Sequence, residues 1–413
     1  MPYLCGMPKL YFDSRRYADL PLHYGKVPPW LAQRMSSLGG AIVESIMLEY
    51  GRPAVLSRLS DPFWFQAFGA VLGMDWHSSG ITTSVMGALK SAINPRYNEL
   101  GIYIAGGKGK YSRQTPNELL QFGNRTGLDA HALIQHSRLT AKVDNTAIQD
   151  GFQIYMHSFV VTSEGHWAVV QQGMNDTNGM ARRYHWHSET VKSFVENPHT
   201  FIYGKNQGEI LNLTDEKAAS AKTGMMNIVA EKPSIIIPEV QKLILPNHHE
   251  VQAKDINLKR LGATLAMAHD KGLRDFESLL LLEGVGPRTI QSLALVSEVI
   301  HGTPSRFTDP ARFSFAHGGK DGHPFPVPTL VYDDTINILR QSVEKAKIGD
   351  ADKFQAIKNL SVISQMIEKD FQPDDDLFEK AIAKERSESW KYGGRTIFGK
   401  EQPPKDDGQL KLF

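Results

Sequence analysis

The sequence lacks several features that would narrow its class. Cys5 is the only cysteine among 413 residues, so an intramolecular disulfide and a cysteine-based zinc site are both excluded. A chain of this size without disulfides is typical of a reducing cytoplasm, and the N-terminal residues do not read as a secretory signal. No segment approaches the roughly 20 consecutive apolar residues that a membrane-spanning helix needs.

An excess of charge of either sign is also missing. The chain has 46 basic and 45 acidic residues, which gives a net charge of +1. Overall charge therefore neither favours nor excludes a nucleic-acid partner, and any phosphate-binding surface has to come from local clusters of basic residues.

What the sequence does contain is a change of periodicity along the chain. The first hundred or so residues have apolar residues at helical spacing, whereas residues 151–173 alternate like two strands joined by a turn. These patterns predict an α+β or α/β fold. The predicted units are a mixed α/β domain with the chemistry at 1–213, a connector at 214–255, a helical DNA-binding domain at 256–371 and a flexible tail at 372–413.

A glycine-rich interruption divides two apolar helical segments in the second half of the chain. The first segment ends at Glu283 and the second begins at Pro287, a residue suited to a first helical turn. The glycines permit a tight bend, and the amides of the next turn then face outward at the positive end of a helix, which favours an anion. The residues predicted to contact phosphate are Gly284, Val285, Gly286, Arg288 and Thr289.

This pattern resembles the helix-hairpin-helix motif, which binds the DNA backbone without reading its sequence. A plain helical turn that needs glycine for packing is the alternative. Base-excision glycosylases use the same hairpin and place a catalytic aspartate some way beyond it, a position that Asp309 approximates. Its surroundings do not match that family, so a glycosylase is kept as the second interpretation.

The last five residues, QLKLF, close a polar segment with apolar side chains. They resemble the pentapeptide that binds the bacterial sliding clamp, except that Lys411 replaces the usual serine or aspartate. The resemblance implies clamp contacts from Gln409, Leu410, Leu412 and Phe413. A chance apolar terminus, or one that docks on its own domain, is the alternative.

Several longer strings resemble an uncharacterised family of archaeal and bacterial proteins that is known only as a domain of unknown function. They include ADLPLHYGKVPPWL, SDPFWFQAFGAVLGMDWHSSG, ARRYHWHSE and RFSFAHGGKDGHPFPV, and the resemblance spans roughly residues 17–350. It brings no activity with it, so the catalytic hypotheses rest on residue chemistry.

Two polar stretches in the first third of the chain are candidate sites. Asp75 and His77 lie two positions apart, so a carboxylate and an imidazole can share a proton or a metal there, unless they form a helix cap beside a buried histidine. A glycine-rich stretch after a predicted strand carries Lys108, Lys110 and Arg113. Amides and cations together suit phosphate, so we predict contacts with a nucleic-acid backbone; a solvated hairpin is the alternative.

Acidic and histidine residues further along are the candidates for a divalent metal centre. Asp144 and Asp150 flank a helix-to-strand transition and offer the oxygen ligands that Mg²⁺ or Mn²⁺ prefers, although both can instead cap local turns. His185 and His187 alternate on one strand and therefore face the same side. The predicted catalytic residues are Asp75, His77, Asp144, Asp150 and His185, and the predicted metal ligands are Asp144, Asp150, His185 and His187.

Arg182 and Arg183 precede these histidines and suit bidentate phosphate binding, so both are predicted to contact DNA. The irregular stretch at 315–327 is a further candidate for the DNA surface. Together the patterns predict a cytoplasmic, nucleoid-associated DNA-binding protein of repair or replication, most simply a metal-assisted nuclease recruited to the sliding clamp. A glycosylase and a non-catalytic adaptor between DNA and clamp stay open.

Overall fold

The computed structural model describes residues 20–21, 27–74, 79–242, 258–311, 329–370, 383, 387, 395–396 and 399–400. Its centre is an antiparallel sheet in the order β1-β5-β4-β3-β2, with β6 also paired to β5. The strands are β1 (Leu20–Pro21), β2 (Ile102–Lys108), β3 (Gln153–Thr162), β4 (Trp167–Asn175), β5 (Met180–His187) and β6 (Phe201–Tyr203). A separate short hairpin joins β7 (Arg395–Thr396) to β8 (Gly399–Lys400).

Helices cover both faces of this sheet. The helices that precede β3 are α1 (Pro29–Tyr50), α2 (Arg52–Ser60), α3 (Pro62–Val71), α4 (Gly80–Ile93), α5 (Tyr97–Leu100), α6 (Thr115–Thr126) and α7 (Ala130–Lys142). Those that follow β6 are α8 (Ala219–Ala230), α9 (Pro233–Lys242), α10 (Leu258–Asp270), α11 (Phe276–Leu281), α12 (Pro287–His301), α13 (Thr329–Lys345) and α14 (Asp350–Asp370). The predicted α+β fold is confirmed.

One hydrophobic core lies on each face. The first packs β-strand residues such as Val160 and Val170 against α1–α4, with Leu339 of α13 and Leu360 of α14 completing it. The second packs the opposite strand residues against α6–α8 and α10–α12. Since strand side chains alternate between the faces, neighbouring residues of β3, β4 and β5 enter different cores.

The sheet and the helices of the predicted DNA-binding domain share the second core. Phe159 and Trp167 of the sheet belong to the same buried cluster as Leu279 of α11 and Leu293 of α12. The described part of the predicted connector contains α8, which packs on α12. The glycine turn is therefore held against the sheet. None of the described helices is both long enough and apolar enough to cross a lipid bilayer.

Candidate nucleic-acid interface

The turn between α11 and α12, residues 282–289, will be called the glycine hairpin. Asp275 caps the first helix by accepting from the Ser278 amide at 2.7 Å, and the chain turns after Leu281. Gly284 has φ +81°, a left-handed conformation that suits glycine. Val285 is only 3% exposed and anchors the turn in the core, after which α12 opens at Pro287.

Three side chains from distant parts of the chain hold the carbonyl oxygens of the hairpin. Each donor has amide or cationic N–H groups, and each acceptor is a backbone oxygen of the turn. The contacts are Lys142 Nζ to Val285 O at 2.6 Å, Gln149 Nε2 to Pro287 O at 2.9 Å and Arg260 Nη2 to Gly284 O at 3.2 Å. The negative ends of these peptide dipoles are thereby neutralised.

The amides at the start of α12 remain open. Among the described residues, the amides of Gly286, Arg288 and Thr289 have no hydrogen-bond acceptor. They lie in the first helical turn, where the aligned peptide dipoles leave partial positive charge. Arg288 is exposed beside them. This arrangement can accept an anionic oxygen from solvent.

Basic residues outnumber acidic ones around the hairpin. Lys142 and Arg260 contact it directly, and Lys259 precedes Arg260 at the start of α10. Burial lowers the pKa of the Lys142 ammonium, which is half-buried against the turn. Glu283 is the acidic residue within the hairpin itself. The local surface is therefore electropositive although the whole chain is nearly neutral.

The register of the sheet places the predicted basic stretch at the same end as the hairpin. Lys108 ends β2 opposite Met156, near the beginning of β3, and Gln149 lies just before that strand. Helix α7 runs from the basic stretch to the hairpin. At the first of these, Ser137 of α7 contacts His157, the β3 residue that pairs with Gly107 near the end of β2. Lys142 follows five residues later on the same helix, a rise of about 7.5 Å, and reaches the hairpin.

A cavity of about 350 Å³ opens at this end of the sheet. The loop that forms one wall is tied down, because the Gln207 amide donates to Asp309 and the Lys205 carbonyl accepts from Arg182. The cavity is lined by Phe152, Asn178, Met180, Ala181, Lys205, Asn206 and Gln207.

Asp144 lies in a π-helical turn, Val143–Ala147, that follows α7, and its carboxylate is fully buried. It accepts from Gln171 Nε2 and from Trp186 Nε1, and it is hydrogen-bonded to His199 Nε2. The amide of Gln171 also accepts from His157, whose other ring nitrogen contacts Ser137. Asp144 is the centre of a closed polar network.

Asp150 and Arg182 belong to a second buried cluster. Arg182 donates to Asp150 at 2.9 Å and to both oxygens of Asp309, at 3.0 and 2.6 Å. Tyr184 donates to Asp150, and Asp309 also accepts the amides of Gln207 and Ala311. The predicted contact of Arg182 with DNA is therefore corrected, since its side chain is enclosed. The candidate catalytic role of Asp309 loses its basis for the same reason.

Arg183 and His185 lie on the opposite face of β5. Arg183 is enclosed between the rings of Phe65 and Tyr203 and donates to Gln66 and to His185 Nε2. Burial lowers the pKa of Arg183 to about 10. This burial corrects the prediction that Arg183 contacts DNA.

The hydrogen bonds of His185 determine its tautomer. Its Nδ1 faces the carbonyl of Leu59 at 2.9 Å and must donate, while its Nε2 accepts from Arg183. Burial, together with the adjacent Arg183, lowers the pKa of His185 well below its usual range. Both ring nitrogens are engaged in the neutral ring, so neither offers a lone pair to a metal.

The four predicted metal ligands do not converge. Asp144 and Asp150 contact Trp186 and Tyr184 on one face of β5. His185 packs against Phe65 on the other face, which His187, two residues later on the strand, shares. Burial also lowers the pKa of His187. Within the described ranges no group of three or more histidine, cysteine or acidic side chains is placed to hold a metal ion.

Several predicted positions lie outside the described residues. They are Asp75 and His77, the stretch at 315–327, and the tail residues Gln409, Leu410, Leu412 and Phe413. Sequence patterns also missed residues that the structure brings to the hairpin, namely Gln149 and Arg260. Long-range contacts of this kind leave no local signal.

One family model matches the chain. It covers residues 16–327 and is described as a protein of unknown function, DUF763. This match agrees with the resemblance to a domain of unknown function inferred from the sequence. No curated protein and no solved structure matches.

Proposed function

Because the chain belongs to the DUF763 family, whose description assigns no activity, we propose a function from its geometry: the protein binds the phosphodiester backbone of DNA through the glycine hairpin. The observation that carries this proposal is the orientation of the turn. Its carbonyls are held by Lys142, Gln149 and Arg260. The amides at the start of α12 have no acceptor among the described residues, and the Arg288 side chain beside them is exposed.

This binding is independent of base sequence. Backbone amides and a cation recognise phosphate oxygens, which every nucleotide presents alike. Counterions released from the phosphates then make the affinity dependent on salt. The shared core between the hairpin helices and the sheet supports a rigid contact surface.

The test compares Arg288→Ala with Arg125→Ala. Arg125 is also exposed, but it lies on α6 near Leu128, which packs by the β3–β4 turn at the opposite end of the sheet. Fluorescence anisotropy with a labelled duplex over a salt series measures binding. We expect Arg288→Ala to weaken binding and to reduce the slope of log K against log salt by about one. Arg125→Ala should leave both quantities unchanged. Equal binding by wild type and Arg288→Ala would refute the hairpin contact.

The metal-assisted nuclease is a subordinate proposal, because its predicted ligands are buried and do not converge. Purified protein with single-stranded, duplex or branched DNA, in Mg²⁺, Mn²⁺ or EDTA, tests it. Cleavage that needs a metal supports a nuclease whose ligands differ from the predicted set. Release of a free base instead indicates a glycosylase. Binding without any reaction supports the adaptor.

We also propose that the protein is recruited to the sliding clamp. This proposal rests on the QLKLF terminus alone. Removing residues 409–413 should abolish clamp pull-down and leave DNA binding intact. A simultaneous loss of DNA binding would assign the tail a structural role.

A further inference from the structure

The basic loop, residues 106–114, combines exposed cations with an exposed aromatic ring. Lys108, Lys110 and Arg113 are all exposed, and Tyr111 between them is 54% exposed. Lys110 Nζ lies 5.4 Å from the centre of the Tyr111 ring, and Lys108 Nζ lies 5.7 Å from that of Tyr155. The loop therefore places an amphipathic ring and three cations on one exposed segment.

No residue that the structure describes neutralises the three cations of the loop. None of them forms an ion pair with a residue that the structure describes. The nearest acidic residue along the chain, Glu118, is already paired with Lys90 at 2.7 Å. The loop therefore presents net positive charge to solvent.

The loop is fixed in place by contacts at its base. The Gly106 carbonyl accepts from Lys90 at 2.7 Å, and its amide donates to Glu118 at 2.6 Å. Gly106 has φ +90°, and a Cβ there would lie 2.2 Å from the carbonyl oxygen of His157. Ser112 and Thr115 add local hydrogen bonds to Gly109 and Ser112 carbonyls. Such a loop presents its side chains with little entropy to lose on binding.

We propose that the basic loop binds a single-stranded nucleic-acid segment, with Tyr111 stacking on a base and Lys108, Lys110 and Arg113 contacting the flanking phosphates. This proposal rests on the proposed function and extends it. Because the loop lies at the same end of the sheet as the glycine hairpin, the substrate it fits has a single-stranded arm beside a backbone segment held by the hairpin.

The Tyr111 ring is the reason to propose a single-stranded nucleic acid rather than another anion that the lysines and the arginine would attract. Bases in a duplex are already stacked on each other and offer no free face to a tyrosine, whereas each base of a single strand does. An acidic peptide would pair with the lysines and gain little from the ring. A cation beside a base–aromatic stack adds a favourable electrostatic contribution.

The experiment measures the binding of three labelled DNAs by anisotropy: a dT oligonucleotide of about 20 nucleotides, a blunt duplex and the same duplex with a dT arm. Tyr111→Ala removes the ring, and Tyr111→Phe keeps it. Phe354→Ala is the control, because Phe354 is exposed on α14 and outside the basic loop. Arg288→Ala reports on the hairpin.

We expect Tyr111→Ala to weaken binding of the dT oligonucleotide and of the armed duplex at least about fivefold, the factor for losing about 1 kcal/mol of stacking. Its affinity for the blunt duplex should not change. Tyr111→Phe and Phe354→Ala should bind all three DNAs like the wild type.

The two proposals fail in different ways. Equal loss of blunt-duplex and dT binding by Tyr111→Ala, or no loss of either, overturns the single-strand surface while leaving the hairpin contact standing. No effect of Arg288→Ala on the blunt duplex overturns the hairpin contact instead. Competition by a poly-glutamate peptide that depends on Tyr111 as strongly as dT binding does would assign the loop to an acidic protein partner.

Discussion

Two neighbouring arginines of β5 are both buried, but they differ in whether a carboxylate balances their charge. Arg182 is enclosed with two carboxylates, Asp150 and Asp309, so its charge is balanced where it lies. Arg183 is enclosed on the other face with neutral acceptors and aromatic rings, and none of the described residues forms an ion pair with it. Removing these two cations should therefore have unequal consequences.

Replacing Arg182 with methionine leaves two carboxylates buried beside each other without a cation. We expect a loss of about 3–5 kcal/mol in the free energy of unfolding. Arg183→Met leaves several hydrogen-bond acceptors without a donor, but it leaves no buried opposite charge unpaired. It also removes the cost of burying a cation away from water. Its cost should be at least about 2 kcal/mol smaller. Urea unfolding followed by circular dichroism measures both variants, and equal losses would contradict the assignment of charge partners.

At the scale of elements, the end of β2 depends on the backbone of one glycine. Gly106 must accept a left-handed conformation and the close approach of the His157 carbonyl at once. Gly109, three residues later, has φ +61° and open space where a Cβ would be. Comparing alanine substitutions at Gly106 and Gly109 therefore separates the cost of the backbone conformation from the cost of the steric clash.

Gly106→Ala should therefore lower the free energy of unfolding by at least about 2 kcal/mol, because strained dihedrals and a backbone clash add together. Gly109→Ala should cost only about 1 kcal/mol, the conformational part alone. Chemical denaturation of the two variants checks this. If Gly109→Ala proved as destabilising as Gly106→Ala, the packing against His157 would not be what fixes the loop.

The hairpin and the strands differ in how far local patterns predicted them. The glycines and Pro287 predict the turn, and the alternation in 151–173 predicts β3 and β4. The predicted DNA contacts of Arg182 and Arg183 required exposed side chains, which β5 does not provide. Helices cover both faces of this sheet, so Arg182, Arg183 and His185 are all enclosed.

For the whole molecule, buried histidines link stability to pH. Burial lowers the pKa of both His157 and His185, so both stay neutral in the folded state when pH falls. In the unfolded chain a histidine binds a proton near pH 6.5. The unfolded state then carries more protons than the folded state, and the free energy of unfolding falls as pH drops below about 6.5.

We expect the protein to lose stability between pH 7.5 and 5.5, with a limiting slope of about 1.4 kcal/mol per pH unit for each such histidine. Urea unfolding at several pH values measures the slope. His185→Gln should flatten it, because one of the proton-binding groups of the unfolded chain is gone. Unchanged stability over this range would show that these rings bind protons equally in the folded and unfolded states, which would contradict the lowered pKa of both.

The sequence by itself determined the α+β class, the strands β2 to β5 of the central sheet and the glycine turn, because periodicity, glycine and proline act over a few residues. Only the tertiary structure decided which polar residues meet solvent. Lys142, Gln149 and Arg260 reach the hairpin carbonyls from elsewhere in the chain, and such contacts form only when α7 and α10 pack beside α12. The two helix layers bury the arginines and histidines of β5. Among the described residues, no element covers the basic loop, and none provides an acceptor for the first amides of α12.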